Sequence, residues 1–172
     1  MQTHTFFVEH LPTETGPLLL VTDGQNRVRA LDWQDHEVRM QRLLKRHYGA
    51  AGVELKPRPS GSRARAALER YFAGKVSAID DVDVATGGTE FQRDVWRALR
   101  AIPAGTTLSY GALARKIGRP AAVRAVGLAN GANPIGIIVP CHRVIGADRS
   151  LTGYGGGIAR KRWLLLHEGV EV

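Results

Sequence analysis

The residue with the clearest chemical potential is Cys141, the only cysteine in a chain of 172 residues. Cysteine sulfur attacks as the thiolate, and neighbouring basic or cationic groups favour that form. Cys141 sits in Pro140-Cys141-His142-Arg143-Val144, so a base and a cation follow it directly. Adjacency does not by itself place His142 against the sulfur, because successive side chains of an extended chain point apart. A lone cysteine is, on composition alone, a small apolar core residue. The Cys-His pair adds a modest hint of a nucleophile. One cysteine excludes an intrachain disulfide and a zinc site built on several thiolates, and no metal ligands are expected.

The elements that must present Cys141 follow from patterning. Residues 135–139 (IGIIV) are apolar and too few for a helix, and are expected to form a buried strand leading into a proline-bounded turn. Upstream, Thr89 and Gln92 have the spacing of a capping box. Phe91, Val95, Leu99 and Ile102 then recur at helical spacing up to Pro103. Ser109 is a cap for a second helix carrying Tyr110, Leu113, Ala114 and Ile117, which Gly118 closes. Pro120 suits the first turn of a third helix running to about Asn130. Two short helices joined by a Gly-containing turn read as a helix-turn-helix.

The first half reads as α/β. Strands are expected at 5–8, 18–21 and 28–33, a helix from Glu37 to Tyr48, and a second helix capped by Ser62 and ended by Gly74. Residues 52–61, with two prolines, read as loop. The acidic, then Gly-rich segment 80–88 reads as a linker, which sets domains at 1–85 and 86–172. No catalytic constellation is visible in the first of them.

Charge is divided unevenly. Residues 1–85 carry 12 Lys and Arg against 11 Asp and Glu, a net of +1, while residues 86–172 carry 12 against 5, a net of +7. Arg115, Lys116, Arg119 and Arg124 fall on or beside the helix-turn-helix. That asymmetry suits a polyanion, although a merely soluble basic surface gives the same count. No run reaches the roughly eighteen apolar residues of a membrane span. The N-terminus lacks the pattern of a signal peptide, so a soluble cytoplasmic protein with no membrane partner is expected.

Taken together, the motifs resemble one family, the O6-alkylguanine-DNA alkyltransferases, also called methylated-DNA–protein-cysteine methyltransferases. The resemblance rests on IVPCHRVIG around Cys141. It extends to Phe91-Gln92 with Val95-Trp96, Ile102-Pro103 with Gly105, and Ser109-Tyr110-Gly111. Further matches are Arg124-Ala125-Val126-Gly127, Asn133-Pro134, Thr152-Gly153-Tyr154 with Gly156-Gly157, and Trp163-Leu164-Leu165 through His167-Glu168-Gly169. It covers about residues 86–169 strongly; the first half looks like the compact bacterial constitutive type.

The resemblance implies a ribonuclease-H-like α/β N-terminal domain and a mostly helical C-terminal domain with a winged-helix-like helix-turn-helix. It implies double-stranded DNA carrying alkylated bases as partner, bound through the minor groove. It also implies no cofactor, and a monomer in solution that can cluster on DNA. Cys141 is then the permanent alkyl acceptor, and His142 its base through a bound water. Glu168 orients His142, and Asn133 braces the turn. Tyr110 presses the target phosphate, Arg124 enters the stack where the nucleotide was, and Ala125 and Gly127 line the DNA-facing helix. Val144, Tyr154, Gly155 and Gly156 line the base pocket. Gly155 stands where some relatives carry Ser, which widens the site and bears on substrate preference. Two rivals stay open. One is a module that flips lesions without repairing them, against which the presence of Cys141 argues. The other is a cysteine hydrolase, which leaves the basic helix-turn-helix without a role.

Overall fold

The computed structural model describes residues 3–49 and 52–172. It divides into two compact units, one ending at Gly88 and the other beginning at Thr89. The first is α/β and the second mainly helical.

In the first unit, β1 (His4–Leu11), β2 (Leu18–Thr22) and β3 (Val28–Trp33) form an antiparallel meander. The turn Asp23–Asn26 joins β2 to β3, with Asp23 accepting from the Gln25 and Arg27 amides. The helix α1 (Glu37–Tyr48) presents Met40, Leu43 and Leu44 to the core at helical spacing. Phe6, Leu19, Val21, Ala30, Met40 and Leu44 pack as one cluster. The second helix, α2 (Arg63–Phe72), is capped by Ser62, whose hydroxyl accepts from the Arg65 amide at 3.1 Å.

Two expectations for this unit fail. Residues 52–61 are not all loop: Val53–Pro57 is a strand, β4, parallel to β1, and the sheet order is β3-β2-β1-β4. β4 is half exposed and ends in proline, so its sequence lacks a buried strand's signature; its hydrogen bonds come from a partner about fifty residues away. Nor is 80–88 a free linker. The Val28 amide donates to Asp83 O at 2.8 Å and the Ala85 amide to Val28 O at 3.0 Å, which pins the segment to β3.

The second unit begins with α3 (Glu90–Arg100). Thr89 and Gln92 complete the capping box in both directions, and Val95, Trp96 and Leu99 are buried. A two-residue strand β5 (Leu108–Ser109) leads into α4 (Tyr110–Lys116), capped by the Ser109 hydroxyl. The next helix, α5 (Val123–Gly131), starts later than Pro120 suggests. The Ala122 amide bonds back to Arg119 O at 2.9 Å, so Pro120 lies in a turn that precedes the helix. The indole of Trp96 donates to Ala129 O at 2.8 Å and ties α3 to α5. After Cys141 come β6 (Val144–Ile145), parallel to β5, and α6 (Ile158–His167).

The expected strand at 135–139 is a tight turn instead. The Val139 amide bonds Ile135 O at 3.1 Å, and Ile137 adopts φ +69°. That conformation is costly for a β-branched residue, and strained backbone persists only where its surroundings enforce it. Pro134, Gly136 and Pro140 interrupt any ladder, while burial of Ile135, Ile137, Ile138 and Val139 fixes the knot in the core.

Candidate active site and nucleic-acid interface

Cys141, His142 and Arg143 form a single 3-10 turn in which all three residues are buried. Asn133 secures the approach: its Nδ2 donates to Val139 O at 2.8 Å, and its Oδ1 accepts from the Ile135 amide at 2.9 Å. The turn thus offers Cys141, 8% exposed, at a fixed angle from a strained, cross-braced knot.

Next to it lies a buried charge network. His142 Nε2 is 2.8 Å from Glu168 Oε2. Arg143 grips the same carboxylate through Nε at 2.8 Å and a terminal nitrogen at 3.0 Å, and donates to Ile102 O at 2.6 Å. Burial alone would raise the Glu168 carboxyl, but the charge His142 carries once protonated, its hydrogen bond, and then the Arg143 guanidinium hold it at about 2. Burial dominates at His142 and lowers its pKa despite Glu168, with Arg143 and Lys161 pushing the same way. His142 is therefore neutral near pH 7, and the ionised Glu168 fixes its tautomer by taking the Nε2 proton in a hydrogen bond. Nδ1 is left as a buried lone pair with no hydrogen-bond partner, which is the form of imidazole that can accept a proton. With His142 neutral, the forked Arg143 is the cation that keeps Glu168 ionised.

Lys161 is the residue that sequence reading missed. It is fully buried on α6, and its ammonium donates to Val144 O at 2.7 Å and Thr152 O at 3.1 Å. Burial lowers its pKa to about 8, while charge on Cys141 pulls it upward. The coupling is mutual, so the ammonium favours the Cys141 thiolate. A signal existed: Lys161, Leu164, Leu165 and Glu168 share one helical face, so both charges are in register with core leucines.

These shifts fix a pH dependence of stability. Both His142 and Glu168 titrate lower when folded, so the unfolded chain binds more protons between the two sets of values. His142's share of stability is full above the ordinary histidine value of 6.5 and falls on acidification; Glu168's share is present above 4.5 and is lost towards about 2. Melting temperature is expected to drop steadily below pH 6.5, and Glu168→Gln to flatten the decline below 4.5. A wild-type melting temperature unchanged from pH 7 to 3 would contradict this network.

The remaining expected residues separate by exposure. The Tyr110 hydroxyl pairs with Thr152 Oγ1 at 2.9 Å, and its ring lies 3.8 Å from where a Cβ on Gly127 would stand. Tyr154 meets the His142 ring edge-on with centroids 6.5 Å apart. Val144 and Gly156 are buried, while Gly155, Arg124 and Ala125 are exposed. Arg124, Ala125 and Leu128 form an outward face of α5, on which Leu128 is 71% exposed. Arg143 and Lys161 are buried, and so is Glu168, so ten cations and four acids of residues 86–172 lie outside the core, a net of +6. Among the described residues no helix is long and apolar enough to cross a membrane.

Comparison with known proteins bears on this arrangement. Residues 90–170 match the family model described as 6-O-methylguanine DNA methyltransferase, DNA binding domain. The chain is 53% identical over 161 residues to a methylated-DNA–protein-cysteine methyltransferase of Salmonella typhimurium, covering 94% of each. A protein of that name from Mycobacterium tuberculosis is 55% identical over 125 residues, 72% of this chain and 75% of that one. The crystal structure of Mycobacterium tuberculosis OGT in complex with DNA superposes with TM-score 0.75 at 43% identity, covering 95% of this chain and 92% of that one.

Proposed function

The chain belongs to the methylated-DNA–protein-cysteine methyltransferase family, and on that premise we propose that Cys141 takes the alkyl group from O6-alkylguanine in DNA and keeps it. The observation that carries the assignment of roles is the buried His142, its Nδ1 unpartnered and its Nε2 on a Glu168 held by Arg143, in the same turn as Cys141.

The thiol gives its proton to His142 Nδ1 through a bound water, with Lys161 stabilising the thiolate. The sulfur attacks the alkyl carbon in line with the C–O6 bond. An S–C bond forms, the C–O6 bond breaks, and its electron pair passes to the guanine. N1 of the base then takes up a proton, which balances the one lent to His142. Glu168 stabilises the transient imidazolium, as the third member of a hydrolase relay does. The thioether does not reverse, and no cofactor takes part. O4-alkylthymine has the same leaving-group chemistry and is a second substrate.

The alkylated oxygen lies inside the duplex, so the nucleotide must swing out, at a cost of a few kcal/mol. The outward face of α5 is small apart from Val123, Arg124 and Leu128, which suits the minor groove. Arg124 fills the gap in the stack, Tyr110 presses the target phosphate, and Tyr154, Val144, Gly155 and Gly156 receive the base. The sheet order of the first unit supports a ribonuclease-H-like reading, and the β5–β6 ladder supports a winged-helix-like one. The protein acts as a cytoplasmic monomer and can cluster along DNA.

The deciding experiment is intact mass after incubation with an O6-methylguanine duplex. One methyl increment per chain, located on Cys141, is expected; binding without transfer would make this a recognition module instead. Arg124→Ala is expected to slow transfer from duplex by roughly tenfold to a hundredfold at saturating protein, since a few kcal/mol of unstacking is then uncompensated. Reaction with free O6-benzylguanine, which needs no flipping, should be unchanged. A plain phosphate contact predicts instead weaker binding, a salt slope reduced by about one, and a duplex rate restored at saturation.

A further inference from the structure

An exposed hydroxyl ties the start of the helix-turn-helix to the buried site. Tyr110 is the first residue of α4, and its ring lies against α5 at Gly127. Its hydroxyl ends 2.9 Å from Thr152 Oγ1. Thr152 is anchored from the other side. Its carbonyl accepts from the Lys161 ammonium at 3.1 Å, and Lys161 also donates to Val144 O at 2.7 Å. Lys161 is fully buried, so the backbone of Thr152 is fixed to a core residue while its side chain stays at the surface. Threonine is stiff about χ1, so an anchored backbone leaves its hydroxyl few directions. The bond between Thr152 and Tyr110 is thus set from the core, forty-two residues apart in sequence.

We propose that Thr152 is a positioning residue for nucleotide extrusion: its hydroxyl donates to Tyr110 and so aims the Tyr110 O–H at the target phosphate. The inference rests on the repair reading above, in which Tyr110 presses that phosphate. Each hydroxyl carries one proton and can also accept. A phosphate oxygen only accepts, so Tyr110 must direct its own proton there. It can then keep Thr152 as a partner only by accepting from it. Both bonds run outwards, from Thr152 to Tyr110 to phosphate, and each polarises the next. Without the Thr152 hydroxyl, the phenol loses the bond that orients it, and the phosphate contact forms in fewer encounters. The bond from Lys161 goes to the main chain of Thr152, so replacing the side chain leaves that anchor in place.

The test is a double-mutant cycle on the full chain. Single-turnover transfer from an O6-methylguanine duplex is measured at saturating protein for the wild type, Thr152→Val, Thr152→Ser, Tyr110→Phe, and Thr152→Val with Tyr110→Phe. Melting curves confirm folding, which an exposed position should tolerate. Thr152→Val keeps the shape and removes the hydroxyl, and is expected to slow duplex transfer roughly tenfold, the effect of one hydrogen bond in the rate. Thr152→Ser restores the donor and should return the rate to near wild type. The double variant should be no slower than Tyr110→Phe alone, because the hydroxyl acts through the phenol. Reaction of Thr152→Val with free O6-benzylguanine, which presents no phosphate, should match the wild type. A wild-type duplex rate for Thr152→Val would overturn the proposal. So would additive losses in the double variant, or equal slowing on the free base, which would make Thr152 a structural residue of the loop. Failure of the wild-type protein to methylate Cys141 from the duplex would overturn the repair reading, and this inference with it.

Discussion

Cys141→Ala is expected to abolish alkyl transfer completely while leaving lesion-duplex binding close to wild type. The chain has no other cysteine, so no second thiol can take the group directly or accept it from Cys141. Cys141 is buried, and alanine removes one sulfur while the backbone bonds from Cys141 N to Val139 O and from Arg143 N to Pro140 O, which shape the turn, remain. On the proposed reading, binding depends on the cations outside the core, which the substitution does not touch. Wild-type protein titrated with excess lesion should stop at one methyl per chain. Transfer by the alanine variant, or sustained turnover by the wild type, would each defeat the mechanism.

His142→Ala is expected to slow single-turnover transfer by ~10²–10⁴-fold, the range for losing a positioned general base. Its pH dependence separates a base from a packing residue. As pH rises towards the ordinary thiol value near 8.5, hydroxide generates thiolate unaided, so the deficit should narrow. A packing defect gives a deficit that does not change with pH. Glu168→Gln should slow transfer as well, and it strips Arg143 of its counter-charge. Breaking one side of such a buried pair costs ~3–5 kcal/mol, so the variant's rate must be read below its lowered melting temperature. A wild-type rate for His142→Ala would remove His142 from the reaction.

Much of the second unit was legible because its signals are local. Thr89 with Gln92, and Ser109 before its helix, act within one turn, so sequence spacing and observed geometry coincide. The joint spacing from Phe91 to Gly169 likewise pointed to the family, since a nucleophile, its base and the base's partner must each hold a place in the chain.

Where partners were distant, sequence misled. Val53–Pro57 became a strand because β1 supplied its ladder, although its own residues look like loop. Residues 135–139 have a strand's composition, yet side-chain bonds from Asn133 and burial of four apolar side chains held them in a turn with Ile137 at positive φ. Arg143 and Lys161 counted towards a basic surface, yet both are core residues, because Glu168 in one case and two backbone carbonyls in the other compensate the cost of removing a cation from water. The sequence by itself determined that a single thiol with an adjacent imidazole, in a basic helical half, is the centre of the chemistry. Only the tertiary structure decided which nitrogen of His142 lacks a partner and which cation couples to Cys141, because each depends on which groups folding removes from water together.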